Sequence, residues 1–383
     1  MKKLNIQILE NLIGFNTVTP NGEKAIKYCS SLLGNLGFQC YELNYNGVSN
    51  LYAKLGNFDR NLCFAGHVDV VPPCGDWSVD PFILTRRDGK CYGRGANDMK
   101  GPLSACLSAI SKFVCSNTNT CIPFSISMIL TSDEEIMGGN GTNKVIDFLK
   151  AKNEKITGCI LCESCSPGDK SGNYIKIGCR GSLNVDLISY GAQCHVVNGS
   201  AFGNHIHKFI SDLHELLHKT LDTGDDIFPP SSIEITSIDT GNDVRNVIPS
   251  QLHAKLNIRF NRAWSFEDLE KYIVDSFPGN IEVIFERFRG PIICAQPEFI
   301  SYIRESITEI TGSAPEVGAF GGNSDAIFIG DITDVVEVGS PVIGAHTIDE
   351  CIDEEQLDLL EQIYLRILQK TDELERSDNS PFS

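Results

Sequence analysis

The chain has 383 residues, of which 42% are hydrophobic and 21% are charged. This is the composition of a globular protein, and it excludes a wholly disordered, collagen-like or coiled-coil chain. The formal net charge of −18 disfavours nucleic acid and anionic membranes as partners, because both are bound by basic surfaces.

The N-terminus and the cysteines predict a cytoplasmic protein. Polar residues interrupt the apolar residues that follow Met1-Lys2-Lys3, so this segment predicts an amphipathic helix and not a signal peptide. The 15 cysteines are odd in number, and several lie in apolar runs, as small buried residues do. We therefore expect a reducing compartment. No run approaches the roughly 20 apolar residues that a bilayer-spanning helix needs.

The pattern of apolar residues divides the chain into two predicted domains. Residues 1–177 alternate short apolar runs with amphipathic stretches, which is typical of an α/β layer with a largely parallel sheet. From Gly178 the order becomes β-α-β-β-α-β, the split βαβ motif, and after Gly290-Pro291 the α/β pattern returns. We expect residues 1–177 and 291–383 to form one domain, and residues 178–290 to form an inserted domain.

Polar residues mark two predicted helix starts. Ser265 is expected to cap a helix of the inserted domain that runs to about Ser276. Asp353 and Gln356 have the spacing of a capping box, in which two side chains reciprocally satisfy free backbone N–H groups at the start of a helix. They predict the start of the C-terminal helix.

A histidine and an aspartate follow an early apolar run. His67 and Asp69 come directly after the predicted strand from Leu62 to Ala65, and residues i and i+2 on a strand point to the same face. An imidazole that binds a metal commonly gives its second N–H to a carboxylate. His67 as ligand and Asp69 as its orienting partner would fit this arrangement. Taken alone, the pair is more simply explained as polar surface residues.

Acidic residues and a second histidine occupy further strand and loop ends: Asp98, Glu134, Glu135, Glu163 and His346. Open α/β sheets place their functional sites at the carboxyl ends of strands. Two histidines and three acids at such ends suit two divalent ions that share one carboxylate. A further carboxylate that binds no ion would serve as general base toward water. Zinc is the expected ion, although cobalt accepts similar ligands.

Together these motifs resemble the dinuclear-zinc amidohydrolase and exopeptidase family, which includes aminoacylases, acetylornithine deacetylases and succinyl-diaminopimelate desuccinylases. The resemblance covers nearly the whole chain. It is carried by the stretches Gly66 to Pro72, Gly75 to Trp77, Asp80 to Phe82, Gly93 to Gly101, Ser132 to Glu135, Arg180 to Leu183 and Asn246 to Pro249.

The resemblance implies a fold and an activity. The fold would be a zinc-exopeptidase-like mixed sheet flanked by helices, with an inserted ferredoxin-like (split βαβ) domain that serves as lid and dimerisation domain. The activity would be metal-dependent hydrolysis of a linear amide in a small anionic N-acyl amino acid. N-succinyl-LL-2,6-diaminopimelate, an intermediate of lysine and diaminopimelate biosynthesis, is the expected substrate. Acetylornithine or a dipeptide is the alternative.

The resemblance also implies roles for individual residues. His67 and Glu163 would hold one metal ion, and Glu135 and His346 would hold the other. Asp98 would bridge both ions, and the peptide bond after it would be cis. Each subunit would thus bind two divalent ions.

The remaining implied roles concern catalysis and substrate binding. Glu134 would be the general base, and His195 a lid histidine that reaches the site of the partner subunit and stabilises the oxyanion. A homodimer would follow from this. The implied substrate contacts are Arg180, Asn246, Arg259, Gly322 and Asn323.

Two segments depart from the family pattern. Where the family lid reads Gly-His-Val-Ala-Tyr-Pro, this chain has Cys194 to Gly199, without the tyrosine and the proline. Where the family reads Gly-Gly-Thr-Ser-Asp-Ala-Arg, this chain has Gly321 to Ile327, with Asn323 replacing the threonine and Ile327 the arginine. These departures concern substrate identity more than metal binding. They leave open a non-catalytic, dimeric binding protein as a further hypothesis.

Two other motifs admit a metal-binding interpretation. His214-Glu215-Leu216-Leu217-His218 is a full His-Glu-x-x-His motif, for which Glu234 would be the possible third ligand. We interpret it as the solvent-facing side of a helix whose Ile210, Leu213 and Leu217 pack on the sheet. The spacing of Cys159, Cys162 and Cys165 resembles the start of an iron–sulfur motif, but the position of the fourth cysteine is occupied by Asp169, and we interpret all three as core residues.

Overall fold

The computed structural model describes residues 2–118, 120–136 and 139–377. The chain forms two compact units. Met1–Gly178 and Ile293–Ser383 together form the first, called here the discontinuous unit, and Cys179–Ile292 forms the inserted unit. In the described ranges, no helix combines the length and the apolar composition that crossing a membrane requires.

A mixed sheet of eight strands forms the centre of the discontinuous unit. In spatial order its strands are Gln39–Tyr45, Val48–Leu55, Ser125–Thr131, Asn61–His67, Gly158–Leu161, Val335–Glu337, Tyr174–Lys176 and Glu316–Gly318. The strand Asn61–His67 lies in the middle and pairs in parallel with both of its neighbours. All seven of its residues are buried, as in a strand that is covered on both faces.

The helices of this unit are Leu4–Ile13, Glu23–Asn35, Lys100–Ser116, Thr142–Ala151, Pro297–Thr311, Ala326–Ile329 and Glu354–Arg376. A smaller antiparallel sheet contains Thr85–Arg87, Lys90–Tyr92 and Cys351–Asp353. The predicted capping box is wrong, because the Asp353 side chain makes no cap hydrogen bond. Gln356 instead accepts a hydrogen bond, 2.5 Å long, from the backbone N–H of Ser171.

The parallel register brings the functional segments of the discontinuous unit to one edge of the sheet. His67 lies opposite Thr131, and Ala65 lies opposite Leu161. Because these strands run in the same direction, the segments that follow them emerge at the same edge. A short 3₁₀ turn, Glu134–Ile136, begins just after one of them.

The inserted unit is a four-stranded antiparallel sheet with two main helices. Its strands lie in the spatial order Ser232–Asp239, Gln251–Phe260, Gly181–Tyr190 and Ile281–Arg289, and its main helices are His205–His218 and Phe266–Ser276. This is the predicted split βαβ arrangement. Short elements complete the unit: the strand pair Cys194–His195 and Val247–Ile248, the 3₁₀ turn Val196–Asn198 and the helix Gly199–Phe202. The short strands Gly178–Cys179 and Ile292–Ile293 lie at the unit boundaries.

In the inserted unit, one prediction about its helices is confirmed and another is wrong. Ser265 caps its helix by accepting a hydrogen bond from the backbone N–H of Asp268, as expected. On the helix His205–His218, Ile210 and Leu217 were expected to pack on the sheet, but they are 54% and 42% exposed. The buried stripe of this helix instead contains Phe209, Leu213 and Leu216.

Candidate metal centre

His67 lies at the end of a buried strand, with its ring held by Asp69. The Nδ1 atom of His67 is 3.0 Å from the backbone oxygen of Asp69 and 3.5 Å from its Oδ1. The Oδ2 atom of Asp69 accepts hydrogen bonds from the Thr19 hydroxyl at 2.8 Å and from the Glu135 backbone N–H at 3.2 Å. Since Asp69 is itself held in place, it can keep the His67 ring oriented with Nε2 directed to other groups.

The first group of candidate ligands surrounds His67 Nε2. This atom lies 3.4 Å from Asp98 Oδ1 and 3.6 Å from Glu163 Oε2. One ligand atom from each of His67, Asp98 and Glu163 lies within 4.8 Å of the others, which is close enough to surround a single cation.

The second group shares Asp98 with the first. His346 Nε2 lies 3.4 Å from Asp98 Oδ2 and 3.0 Å from Glu135 Oε2. The two oxygens of Asp98 thus face different histidines. This is the arrangement expected of a carboxylate that bridges two cations.

The donor atoms of these groups fit divalent cations. Asp98 Oδ1 and Glu163 Oε2 are buried and make no hydrogen bond. A buried carboxylate oxygen without a partner costs free energy, and a coordinated cation removes that cost. Imidazole nitrogens and carboxylate oxygens are ligands that zinc accepts, and cobalt accepts them as well.

The electrostatics of the first group are those of crowded charges in a buried setting. Burial would lower the pKa of His67, but neighbouring carboxylates, among which Glu163 contributes most, raise it well above its usual range. Burial and the nearby Asp98 raise the pKa of Glu163 to about 8. Burial would also raise the pKa of Asp98, but its contacts with His67 outweigh this effect and lower the pKa to about 2.

Two positions in these groups have uncommon backbone geometry. The Asp98–Met99 peptide bond is cis, as the family resemblance predicts. His346 has a φ of 61°, in the left-handed region that residues other than glycine rarely adopt. Such a conformation costs free energy and persists where surrounding contacts determine it.

Glu134 belongs to neither ligand group, although it lies beside both. Its Oε2 atom is 4.0 Å from His67 Nε2. It lines a cavity of about 370 Å³ together with the ligands and with Gly322 and Asn323. Burial raises the pKa of Glu134 well above its usual range. Glu134 is therefore a carboxylate that can exchange a proton with a molecule in this cavity.

In the inserted unit, Arg180 and Arg259 offer positive charge. Arg180 donates to the backbone oxygen of Pro230 at 2.9 Å, and its Nε is buried without a hydrogen-bond partner. Arg259 donates from Nε to the Asn257 side chain at 2.9 Å. Burial lowers the pKa of both arginines, and the charge of Arg259 adds to the effect on Arg180. Neither makes a salt bridge in the described part of the chain, so both are suited to bind an anion.

His195 lies on the short strand Cys194–His195 of the inserted unit, and Asn246 directly precedes the strand Val247–Ile248 that pairs with it. The Nε2 atom of His195 is 3.5 Å from the Nδ2 atom of Asn246. His195 Nδ1 accepts a hydrogen bond of 3.2 Å from the backbone N–H of Val197. With Nδ1 as the acceptor, the neutral ring carries its proton on Nε2, which then donates to an oxygen acceptor and not to the Asn246 amide nitrogen.

The two other metal-binding motifs form no complete ligand set. The rings of His214 and His218 lie 3.9 Å apart, but no third ligand joins them among the described residues. Cys159, Cys162 and Cys165 are buried, and none belongs to a ligand group in the described ranges.

Two buried residues near the cavity, Lys176 and Asp325, were not among the predicted site residues. Lys176 lines the cavity, and its Nζ donates to the Gly322 backbone oxygen and to Glu337, both at 2.9 Å. Asp325 accepts a 2.7 Å hydrogen bond from the Thr142 hydroxyl, and burial raises its pKa to about 7. Lys176 ends the short strand Tyr174–Lys176, whose other residues are apolar. A lysine at the end of such a strand was the sequence signal that could have identified it.

Comparisons with known proteins find relatives along nearly the whole chain. The model of peptidase family M20/M25/M40 matches residues 63–370. A succinyl-diaminopimelate desuccinylase from Wolbachia pipientis is 39% identical over 370 residues, covering 95% of this chain and 92% of the relative. One from Anaplasma marginale is 39% identical over 367 residues, covering 94% of each.

Solved structures show the same fold. A tripeptidase from Staphylococcus aureus superposes with a TM-score of 0.77 at 18% identity, covering 97% of this chain and 98% of its own. A dinuclear metal-binding peptidase of the M20 family from Bacillus subtilis gives a TM-score of 0.70 at 14% identity, covering 96% and 97%. The predicted family and the mixed α/β fold are confirmed, and the chain belongs to peptidase family M20/M25/M40.

Proposed function

We propose that this chain hydrolyses the amide of N-succinyl-LL-2,6-diaminopimelate to succinate and LL-2,6-diaminopimelate. The main support is identity of 36–39% over about 95% of the chain to relatives named succinyl-diaminopimelate desuccinylase. The position of Asp98 between two ligand groups supports metal-dependent hydrolysis. Two divalent cations per subunit would bind there, zinc or, as the alternative, cobalt. A biosynthetic role of this kind suits the cytoplasm.

Each ligand group would hold one cation: His67, Glu163 and Asp98 the first, and Glu135, His346 and Asp98 the second. Cations bound there would supply Lewis acidity toward the amide carbonyl and the attacking water. Asp69 keeps the His67 ring oriented by accepting from its Nδ1.

Glu134 would move the proton. Its carboxylate accepts a proton from the water that adds to the amide carbon, and then gives it to the amide nitrogen as the C–N bond breaks. Burial raises the pKa of Glu134 well above its usual range, so its carboxylate is a stronger proton acceptor than an exposed one.

Several of the predicted site residues would recognise the substrate. Arg180 and Arg259 would pair with its carboxylates, since guanidinium groups form strong hydrogen bonds with carboxylates. Gly322 and Asn323 line the cavity beside the ligands, and Asn246 would add a further contact. His195 would stabilise the oxyanion in the site of the partner subunit, and the chain would form a homodimer through its inserted unit.

The test is a comparison of two substrates. Zinc-loaded protein is incubated with N-succinyl-LL-2,6-diaminopimelate or with N-acetylornithine, and release of succinate or acetate is measured. We expect kcat/KM to be at least a hundredfold higher for the succinyl substrate. Turnover of N-acetylornithine alone would support metal-dependent amide hydrolysis but contradict the proposed substrate. No turnover of either by protein with two bound metal ions would favour the binding-protein hypothesis.

A further inference from the structure

The loop that carries Asp98 is attached to the segment that carries His346. Asn97 donates from its side chain to the Pro341 backbone oxygen at 2.7 Å, and its own backbone oxygen accepts from the Ser340 hydroxyl at 2.8 Å. These two segments lie far apart in the sequence, yet each contributes a ligand to the second group.

The Glu350 carboxylate is the main connection between them. Its Oε1 accepts from the backbone N–H groups of Asn97 and Asp98, both at 2.9 Å. Its Oε2 accepts from Arg94 Nη1 at 2.7 Å and from the Gly95 backbone N–H at 3.1 Å. One side chain thus ties the backbone of Asp98 to a position four residues after His346.

Arg94 provides a second connection between the Asp98 loop and the His346 segment. Besides its bond to Glu350, its Nη1 donates to the Thr347 backbone oxygen at 3.2 Å, next to His346. Its guanidinium carbon lies 4.9 Å from the centre of the Trp77 ring. The side chains of Arg94 and Glu350 are only 2% and 0% exposed. A buried ion pair in which the carboxylate accepts four hydrogen bonds has little freedom to move.

We propose that Glu350 is a positioning residue of the candidate metal centre, which holds Asp98 and His346 at the separation that lets one carboxylate serve both ligand groups. Glu350 itself binds no cation in this arrangement. The inference rests on the proposed function only in taking the two groups as metal sites.

The substitution Glu350→Gln tests the proposal with little change in size. Each carboxylate oxygen faces two donors, so either orientation of the glutamine amide places an NH₂ group against two N–H groups. The loop must then move, and with it Asp98. Cobalt(II) alone is the probe: its binding is followed by visible absorption and by competition with a chelator. We expect the affinity for one or both bound cobalt ions to fall at least tenfold, with a changed cobalt spectrum. Residues that hydrogen-bond to metal ligands commonly contribute 10–100-fold to metal affinity.

Glu361→Gln is the matched control. The Glu361 carboxylate is also buried, and it accepts from the Ser108 hydroxyl and pairs with Lys112, not with a candidate ligand. Its variant is expected to keep both cobalt affinities within twofold and to leave the spectrum unchanged. Equal affinities and spectra for wild type and E350Q would overturn the proposal.

Arg94→Lys provides the test if E350Q does not fold. This variant keeps the positive charge but cannot reach both Glu350 and Thr347 in the same way, and it is expected to weaken cobalt binding at least threefold. Unchanged binding would overturn the proposal. The outcomes also separate the two proposals: wild-type protein that binds no cobalt contradicts the metal centre itself, whereas equal cobalt affinities and spectra in wild type and variant contradict only the role of Glu350.

Discussion

The two units present their functional side chains in different ways. In the discontinuous unit, three candidate ligands, His67, Glu135 and Glu163, lie at or just after strands of the eight-stranded sheet, and His67 is 1% exposed, whereas Asp98 and His346 lie in turns. In the inserted unit, the predicted substrate contacts lie on or beside an antiparallel sheet and a pair of short strands, where His195 and Asn246 are exposed. Under the proposed function, the discontinuous unit would supply the chemistry and the inserted unit would supply contacts with the substrate.

Charge follows the same division. The discontinuous unit concentrates carboxylates around two histidines, which is suited to cations. The inserted unit holds two half-buried arginines with no salt bridge in the described ranges, which are suited to anions. If the comparison is right, changes in the first unit should abolish chemistry, and changes in the second should weaken binding.

Removal of the metal is expected to have the largest effect. Dialysis against a chelator should reduce hydrolysis of the succinyl substrate to the background rate, because the ligand groups alone cannot polarise the amide. Addition of zinc or cobalt should restore it, measured as succinate release together with metal content. Full activity in metal-free protein would contradict the proposal that the discontinuous unit needs bound cations for catalysis.

Glu134→Ala should have the next largest effect. The variant loses the group that moves the proton, so kcat is expected to fall about 10²–10⁴-fold. Because Glu134 belongs to neither ligand group, the protein should still bind two equivalents of metal, which elemental analysis can count. A variant that retains kcat would remove Glu134 from the mechanism.

Arg259→Met should act on binding and leave the chemistry intact. The loss of a charge-assisted hydrogen bond worth about 1.5–3 kcal/mol predicts a KM about 10–100-fold higher. We expect kcat to change less than threefold, as measured by steady-state kinetics. Arg262→Met is the control, since Arg262 is half exposed and pairs with Asp225 in the same unit. If kcat falls as much as KM rises, the proposed division between the units is too simple.

Glu215→Ala should have the smallest effect. Glu215 lies on the exposed side of its helix, between two histidines that lack a third partner in the described residues. Activity and metal content should equal those of wild type, and the free energy of unfolding should change by no more than about 0.5 kcal/mol. A loss of activity would revive the His-Glu-x-x-His motif as a second metal site.

Candidate ligands could be predicted from the sequence where they lie in a short, recognisable stretch of residues. His67, Asp98, Glu135 and Glu163 each follow an apolar run or a glycine-rich turn, so their place at strand ends could be predicted, and the family motifs added His346. The order of strands and helices in the inserted unit was equally predictable from the change in apolar spacing.

Long-range packing was not predictable from such patterns. Glu350 bonds mainly to backbone N–H groups about 250 residues earlier in the chain, and backbone groups carry no sequence signal. Gln356 has the spacing of a capping residue, yet it bonds to Ser171. The helix His205–His218 is apolar on more than one side, so its buried stripe could not be chosen without the sheet it packs on.

The inserted unit separates the candidate ligands along the sequence, and therefore in the order in which they are synthesised. On a growing chain, His67, Asp98, Glu135 and Glu163 are all made before the insertion, and His346 is made after it. The first ligand group is therefore complete while the ribosome is still adding the inserted unit, whereas the second must wait for the last tenth of the chain. Under the proposed function, a nascent chain thus has all the residues of only one ligand group until His346 is added, and two-cation chemistry would become possible only after that.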